Sequence, residues 1–207
     1  GLGLSMIEEV QAAFVLGQAS PAFRSLVGTN NGIGSQGIII DGTDEQKAKY
    51  LPALASGDMI ASFALTEPDA GSDAGGLRTT ARRDGNDFLL NGTKRYITNA
   101  PRADLFTVFA RTSPEVKGSA GVSAFLVEAG TPGITLGQPD RKMGQKGSHT
   151  CDVILDNVRV PASNIIGGPD RLNKGFKTAM KVLDRGRLHI SAVCVGAAER
   201  LIRDSLS

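Results

Sequence analysis

The 207-residue sequence has no tryptophan, two histidines and two cysteines, and its 23 basic residues nearly cancel 21 acidic ones. Cys151 and Cys194 form no CxxC pair, which argues against a disulfide framework and against a zinc site. Each is expected as a small buried apolar residue. The net charge of +2 is too small and too scattered for a nucleic-acid binder. No run reaches the ~18 apolar residues of a membrane span. The first residues, Gly1-Leu2-Gly3-Leu4-Ser5-Met6, lack the basic start and cleavage site of a secretory leader. With 41% hydrophobic residues and balanced charge, disorder is disfavoured too. What is left is a globular chain of one good-sized domain, or one domain with pieces of its neighbours.

Three zones separate by period. Leu4, Ile7, Val10, Ala13 and Phe14, then Phe23, Leu26 and Val27 after a break at Pro21, recur at helical spacing. A glycine-rich stretch from Gly28 to Gly37 follows. Thr43 and Gln46 have the spacing of a capping box and open a short helix that ends near Gly57. From Met59 the period changes to two, and strands are expected over residues 60–66, 77–83, 87–90, 94–98, 105–111, 122–128, 134–136 and 153–160. Asp84-Gly85 and Asn91-Gly92 read as tight hairpin turns. So many short strands in succession suggest an α+β protein with a compact antiparallel sandwich or barrel in the middle. From Leu172 to Ser207 the helical pattern returns, through Phe176, Ala179, Leu183, Ile190, Val193 and Leu201. The expected division is 1–58, 59–162 and 163–207: a complete β module between parts of helical neighbours, in a piece of a longer subunit.

Two stretches carry most of the chemistry. In Phe63-Ala64-Leu65-Thr66-Glu67-Pro68-Asp69-Ala70-Gly71-Ser72-Asp73, a strand ends at Thr66 and Gly71-Ser72 offers backbone N–H groups and a hydroxyl, enough to cradle an anion. A polar loop between strands reads the same way. In Tyr96-Ile97-Thr98-Asn99, an aromatic plate lies beside hydroxyl and amide groups, which suits a flat heterocycle with polar edges. An ordinary strand aromatic and a β-forming threonine read the same way too. Spacing leaves both open.

The run Ala64-Leu65-Thr66-Glu67-Pro68-Asp69-Ala70-Gly71-Ser72-Asp73 resembles the signature of the acyl-CoA dehydrogenase family of flavoproteins. Four more matches follow in the family's order: Asn91 to Asn99, Met143-Gly144 with Ser148-His149-Thr150, Val158-Arg159-Val160-Pro161, and Asn173-Lys174-Gly175-Phe176. The resemblance covers nearly the whole chain. It implies an N-terminal helical domain, a middle β-barrel and a C-terminal helical domain, with FAD between barrel and C-terminal helices. It also implies α,β-dehydrogenation of an acyl-CoA thioester, with hydride passing to flavin N5 and electrons to an electron-transfer flavoprotein. Subunits of this kind associate as dimers or tetramers and work in bacterial cytoplasm or the mitochondrial matrix.

Carried over position by position, the resemblance makes Phe63, Leu65, Thr66, Gly71, Ser72, Tyr96, Ile97 and Thr98 the cofactor-binding residues. The Leu65–Thr66 segment supplies donors to the N1 and C2 carbonyl region, and the Thr98 hydroxyl faces N5. Tyr96 stands where the family commonly has tryptophan, a smaller plate with an added hydroxyl. Ser72, Asp184 and Arg187 fall on positions that meet substrate. The sequence also departs from the family. Most members carry the catalytic glutamate farther along than residue 207, and the branch that moves it to the position of Gly186 finds glycine here. Glu67, His149, Asp184, His189 and Glu199 are available, and none is chosen as catalytic. Two other readings are an acyl-CoA oxidase-type relative and a non-catalytic remnant that binds acyl-CoA or partner chains.

Overall fold

The computed structural model describes residues 3–207. Helix α1 (Met6–Ala19) starts at a capping box in which Ser5 and Glu8 satisfy each other's backbone N–H. Ser20 caps α2 (Pro21–Gly28), whose proline takes the first helical position, where no donor is needed. The break expected at Pro21 is therefore a helix start. The chain does not become a loop in the glycine-rich stretch: one π-helical turn, Thr29–Gly34, leads into α3 (Ser35–Asp41). These glycines answer to packing. A Cβ on Gly34 would lie 2.7 Å from the Thr29 carbonyl and 2.8 Å from the Ala61 Cβ. Helix α4 (Asp44–Ser56) has the expected Thr43–Gln46 capping box and ends at Gly57, left-handed at φ 86°.

Seven strands form one mixed sheet: β1 (Ala61–Ala64), β2 (Thr80–Asp84), β3 (Asp87–Thr98), β4 (Leu105–Arg111), β5 (Val122–Glu128), β6 (Ile134–Leu136) and β7 (Thr150–Pro161). Their order is β1-β4-β2-β3-β7-β6, with β5 also on β4. The sheet curls into a half-barrel flanked by helices, as the α+β reading expects. The β1–β4 and β2–β4 pairings are parallel, and the others are antiparallel. Asp84-Gly85 makes its hairpin, with Asp84 opposite Asp87 and Gly85 at φ 63°.

Asn91-Gly92 does not make a hairpin, and the two strands expected on either side of it are one strand of 12 residues, β3. Gly92 is needed for a close crossing: a Cβ there would meet the Thr79 Cα at 2.8 Å. The ladder with β7 shifts register at that point, so the sequence signal marks a bulge.

One apolar cluster fills the half-barrel, with Phe88, Phe106, Phe125, Val153 and Val158. A second lies between sheet and helices, with Ile38, Leu54, Leu105, Phe109, Leu126 and Ala179. Helix α5 (Gly175–Leu206) begins against β5, where a Cβ on Gly175 would stand 2.3 Å from the Ala124 backbone nitrogen. The Asn173 side chain holds this start, accepting from the Thr112 hydroxyl at 2.6 Å and donating to the Ser113 hydroxyl at 2.9 Å. Farther along, α5 meets α1 backbone to backbone. A Cβ on Gly17 would lie 2.5 Å from the Val193 carbonyl, and one on Gly196 2.1 Å from the Phe14 carbonyl. Cys151 is buried as expected, but Cys194 is exposed, because α5 turns that position away from α1. No helix among the described residues is long and apolar enough to cross a membrane.

Candidate functional site

The loop after β1 is shaped from behind by a buried ion pair. Glu67 and Ala70 exchange backbone hydrogen bonds across Pro68-Asp69, closing a tight turn. The Glu67 carboxylate, 6% exposed, accepts from the backbone N–H groups of Arg78 at 2.6 Å and Thr79 at 2.9 Å. Lys94 of β3 has no exposure and donates to Glu67 Oε1 at 2.7 Å and to the Leu65 carbonyl at 3.2 Å. Burial pulls the Lys94 pKa down to about 8 against the attraction of Glu67. Burial opposes ionisation of Glu67 as well, but the Lys94 charge and these hydrogen bonds outweigh it and hold the carboxyl below its usual value. The loop from Leu65 to Leu77 is thus pinned at both ends by one carboxylate. Glu67 is a structural residue, and Lys94, the fourth residue of the Asn91–Asn99 motif, is the partner that sequence reasoning missed. Its one signal was a lysine in phase with the inward side of β3.

A second bulge shapes the opposite lip. The β3–β7 register shifts between Lys94 and Ile97, and Tyr96 takes a left-handed backbone at φ 57°. For an aromatic residue this conformation costs on the order of 1–3 kcal/mol. It turns the ring outward, 59% exposed, with the Arg95 guanidinium 4.9 Å from the ring centre. Arg95 is itself held by Asp152 at 3.1 Å. The Thr66 carbonyl accepts from the Arg95 N–H at 2.8 Å, and the Thr98 carbonyl accepts from the Ser62 hydroxyl. Both backbones are fixed while both threonine side chains border open space.

That space is a cavity of about 820 Å³. Phe63, Leu65, Thr66, Gly71, Ser72, Tyr96, Ile97 and Thr98 all border it, so the eight residues singled out as cofactor-binding come together in one cleft. The facing wall is α5, through Phe176, Met180, Leu183 and Arg187, with Thr29 and Ile33 of the π-helical turn at the side. Of the residues singled out for substrate, Ser72 and Arg187 border the cleft. Asp184 does not, and instead holds Arg187 Nη1 at 2.5 Å in an exposed pair.

A second cavity, of about 650 Å³, adjoins the first and shares Thr29, Ile33, Thr98, Leu183 and Arg187 with it. Gly186 borders this one, and a Cβ there would meet nothing nearer than the Ile33 Cγ2 at 3.4 Å. Among the acid–base residues considered above, Glu199 is engaged by Arg203 at 2.7 Å and His189 by Glu9 at 3.0 Å. Burial holds the His189 pKa below its usual value despite that carboxylate. His149 is exposed and contributes its carbonyl to the Asn99 N–H.

Comparison with known proteins identifies the fold and the family. The family description "Acyl-CoA dehydrogenase, middle domain" matches residues 62–158, and "Acyl-CoA dehydrogenase, N-terminal domain" matches residues 1–58. An acyl-CoA dehydrogenase of Bacillus subtilis is 42% identical over 206 residues, which is 100% of this chain and 53% of the relative. The acyl-CoA dehydrogenase of Bacillus anthracis, solved in complex with FAD, superposes with a TM-score of 0.87 at 40% identity, covering 97% of this chain and 34% of that one. The butyryl-CoA dehydrogenase of Megasphaera elsdenii superposes with a TM-score of 0.93 at 36% identity, covering 99% of this chain and 53% of that one. The chain spans about half the length of the curated relatives it matches. In sequence and in fold, it belongs to the acyl-CoA dehydrogenase family.

Proposed function

We propose that this chain forms the flavin-facing wall of an FAD-dependent enzyme that dehydrogenates acyl-CoA thioesters between the α and β carbons. The observation that carries the reading is the convergence of Thr66, Ser72, Tyr96 and Thr98, from separate strands and loops, on one cleft. The residues suit the cofactor. A strained bulge presents an exposed aromatic plate, hydroxyls border it, and Gly71 leaves open space beside it.

When bound, FAD supplies the acceptor for the hydride that leaves the β-carbon. Tyr96 covers one face of the ring system and keeps water from it. Leu65 and Thr66 present donors to the edge where charge gathers on reduction, and Thr98 presents its hydroxyl to the reacting edge. Because the loop carrying Leu65, Thr66 and Ser72 is pinned by Glu67 and Lys94, these donors need little reorganisation as charge develops. Ser72 orients polar groups of cofactor and substrate, and Arg187 holds the anionic CoA portion. Electrons pass on to an electron-transfer flavoprotein, and the subunit works as a dimer or tetramer.

A second reading, binding of acyl-CoA without turnover, takes its motive from glycine at 186; among the described residues no carboxylate borders the second cavity. Anaerobic titration of the full-length, FAD-loaded subunit with acyl-CoA separates the two. Bleaching of the flavin band supports dehydrogenation, and a spectral shift without bleaching supports binding alone. A full-length protein that takes up no FAD overturns both. Peroxide formed during aerobic turnover would mark an oxidase.

A further inference from the structure

Holding a loop in place takes hydrogen bonds, and neutral side chains supply those at less cost than an ammonium group withdrawn from water. Lys94 is such a group, with no exposure and two acceptors, Glu67 Oε1 at 2.7 Å and the Leu65 carbonyl at 3.2 Å. The carboxylate is shared. It also accepts from the backbone N–H groups of Arg78 at 2.6 Å and Thr79 at 2.9 Å, so three donors divide one negative charge. The Leu65 carbonyl has the ammonium to itself among the described residues.

That carbonyl belongs to the peptide unit whose N–H is that of Thr66. The peptide is trans, and a planar trans peptide directs its N–H opposite to its carbonyl. With the carbonyl turned toward buried Lys94, the Thr66 N–H is turned away from it, and it meets no acceptor among the described residues. Thr66 borders the larger cavity. Its own carbonyl accepts from the Arg95 N–H at 2.8 Å, so β3 fixes this segment twice. A cation on a carbonyl draws electron density through the amide and makes the N–H at the other end a stronger donor. In a chain of hydrogen bonds the gain is roughly 10–30% per bond.

We infer that Lys94 is a positioning residue whose charge, relayed through the Leu65–Thr66 peptide, strengthens the donor offered to the flavin edge and raises the flavin's reduction potential. This rests on the FAD reading above and adds to it a residue that borders no cavity. The competing account is that Lys94 and Glu67 shape the loop and do nothing more.

The test compares three full-length, FAD-loaded subunits: wild type, Glu67→Gln with Lys94→Met, and Glu67→Gln with Lys94→Gln. Neither double variant buries an unpaired charge, and denaturation midpoints report whether each is folded. Potentials are measured by equilibration with a reference dye, and dissociation constants are measured for oxidised and reduced FAD. With methionine at 94, the preference for reduced over oxidised FAD is expected to fall by at least ~3-fold. For a two-electron couple that lowers the potential by about 14 mV. Glutamine at 94 still donates to the Leu65 carbonyl but carries no charge, so its potential is expected between the other two. It serves as the check should the methionine variant fail to fold. An unchanged or raised potential in a folded double variant overturns the inference. So does equal weakening of both forms of FAD, which would leave the pair as a shaper of the loop. If the wild-type subunit takes up no FAD, the flavin reading itself falls.

Discussion

Lys94 and Arg24 are both cations withdrawn from water, one inside the half-barrel and one beneath the helices, and their surroundings differ in one respect. Lys94 has a carboxylate at 2.7 Å and a carbonyl at 3.2 Å. Arg24 has nothing of the kind among the described residues. The paired cation does its work in the folded chain itself, by fixing the loop that carries Thr66 and Ser72. The unpaired one, half-buried at the edge of a cavity, fixes nothing of that kind. Burial by itself therefore does not say what a withdrawn charge contributes to the fold; the presence or absence of a counter-charge does.

Breaking the barrel pair gives the largest effect. Glu67→Ala leaves Lys94 buried and unpaired and is expected to cost about 3–5 kcal/mol in chemical denaturation, whereas Glu67→Gln with Lys94→Met recovers most of the loss. A double variant as unstable as Glu67→Ala would refute this account. The same pair sets a pH dependence. The Glu67 pKa is lower folded than unfolded, so its stabilisation is complete above the unfolded value near 4.5 and is lost as pH falls through the folded one. Lys94 has the opposite sense. Its folded pKa of about 8 lies below 10.5, so the unfolded chain keeps that proton longer, and stability from this group rises with pH across that window. Denaturation midpoints measured against pH should steepen on the acid side in wild type and flatten in the double variant.

Strain gives the next effect. Tyr96→Gly relieves the left-handed backbone and is expected to raise stability by about 1 kcal/mol while removing the plate over the proposed flavin. A loss of stability would mean that the ring's contacts outweigh its strain. At Arg24 the comparison predicts the reverse of Lys94: Arg24→Met should leave stability unchanged or raised by up to about 1 kcal/mol in the ligand-free protein. A loss of 3 kcal/mol or so there, of the size predicted at Glu67, would dissolve the distinction. Smallest of all, Asp184→Asn breaks an exposed pair and should shift stability by less than about 1 kcal/mol.

Much of this fold is legible in the sequence, because two-residue alternation and capping boxes are local signals. Asp84-Gly85 and Thr43–Gln46 need no tertiary information to be read. The misreadings share a cause: a residue's type was taken as a local instruction when its reason lies across the fold. Gly92 and Gly34 are glycine because Thr79 and Ala61 crowd them, so the expected hairpin does not appear and the glycine-rich stretch is helical. Cys194 looked like core from its type, yet its position on α5 points outward. The site residues from Phe63 to Thr98 were found through a collinear family pattern, since spacing alone left the loop and the aromatic open. Lys94 and Arg24 escaped because a charged residue in a sequence reads as surface until its counter-charge, or the lack of one, can be seen.

The glycine seam between α1 and α5 reaches beyond the two helices that form it. Helix α5 carries Leu183 and Arg187, which face the strands across the cleft, and it is one continuous rod of 32 residues. A rod pressed at Gly17 and Gly196 cannot move there without swinging its other end. The gap in which the proposed flavin would sit is therefore gauged partly from afar, and a single added methyl at the seam should act on the cleft as a wedge acts on a hinge.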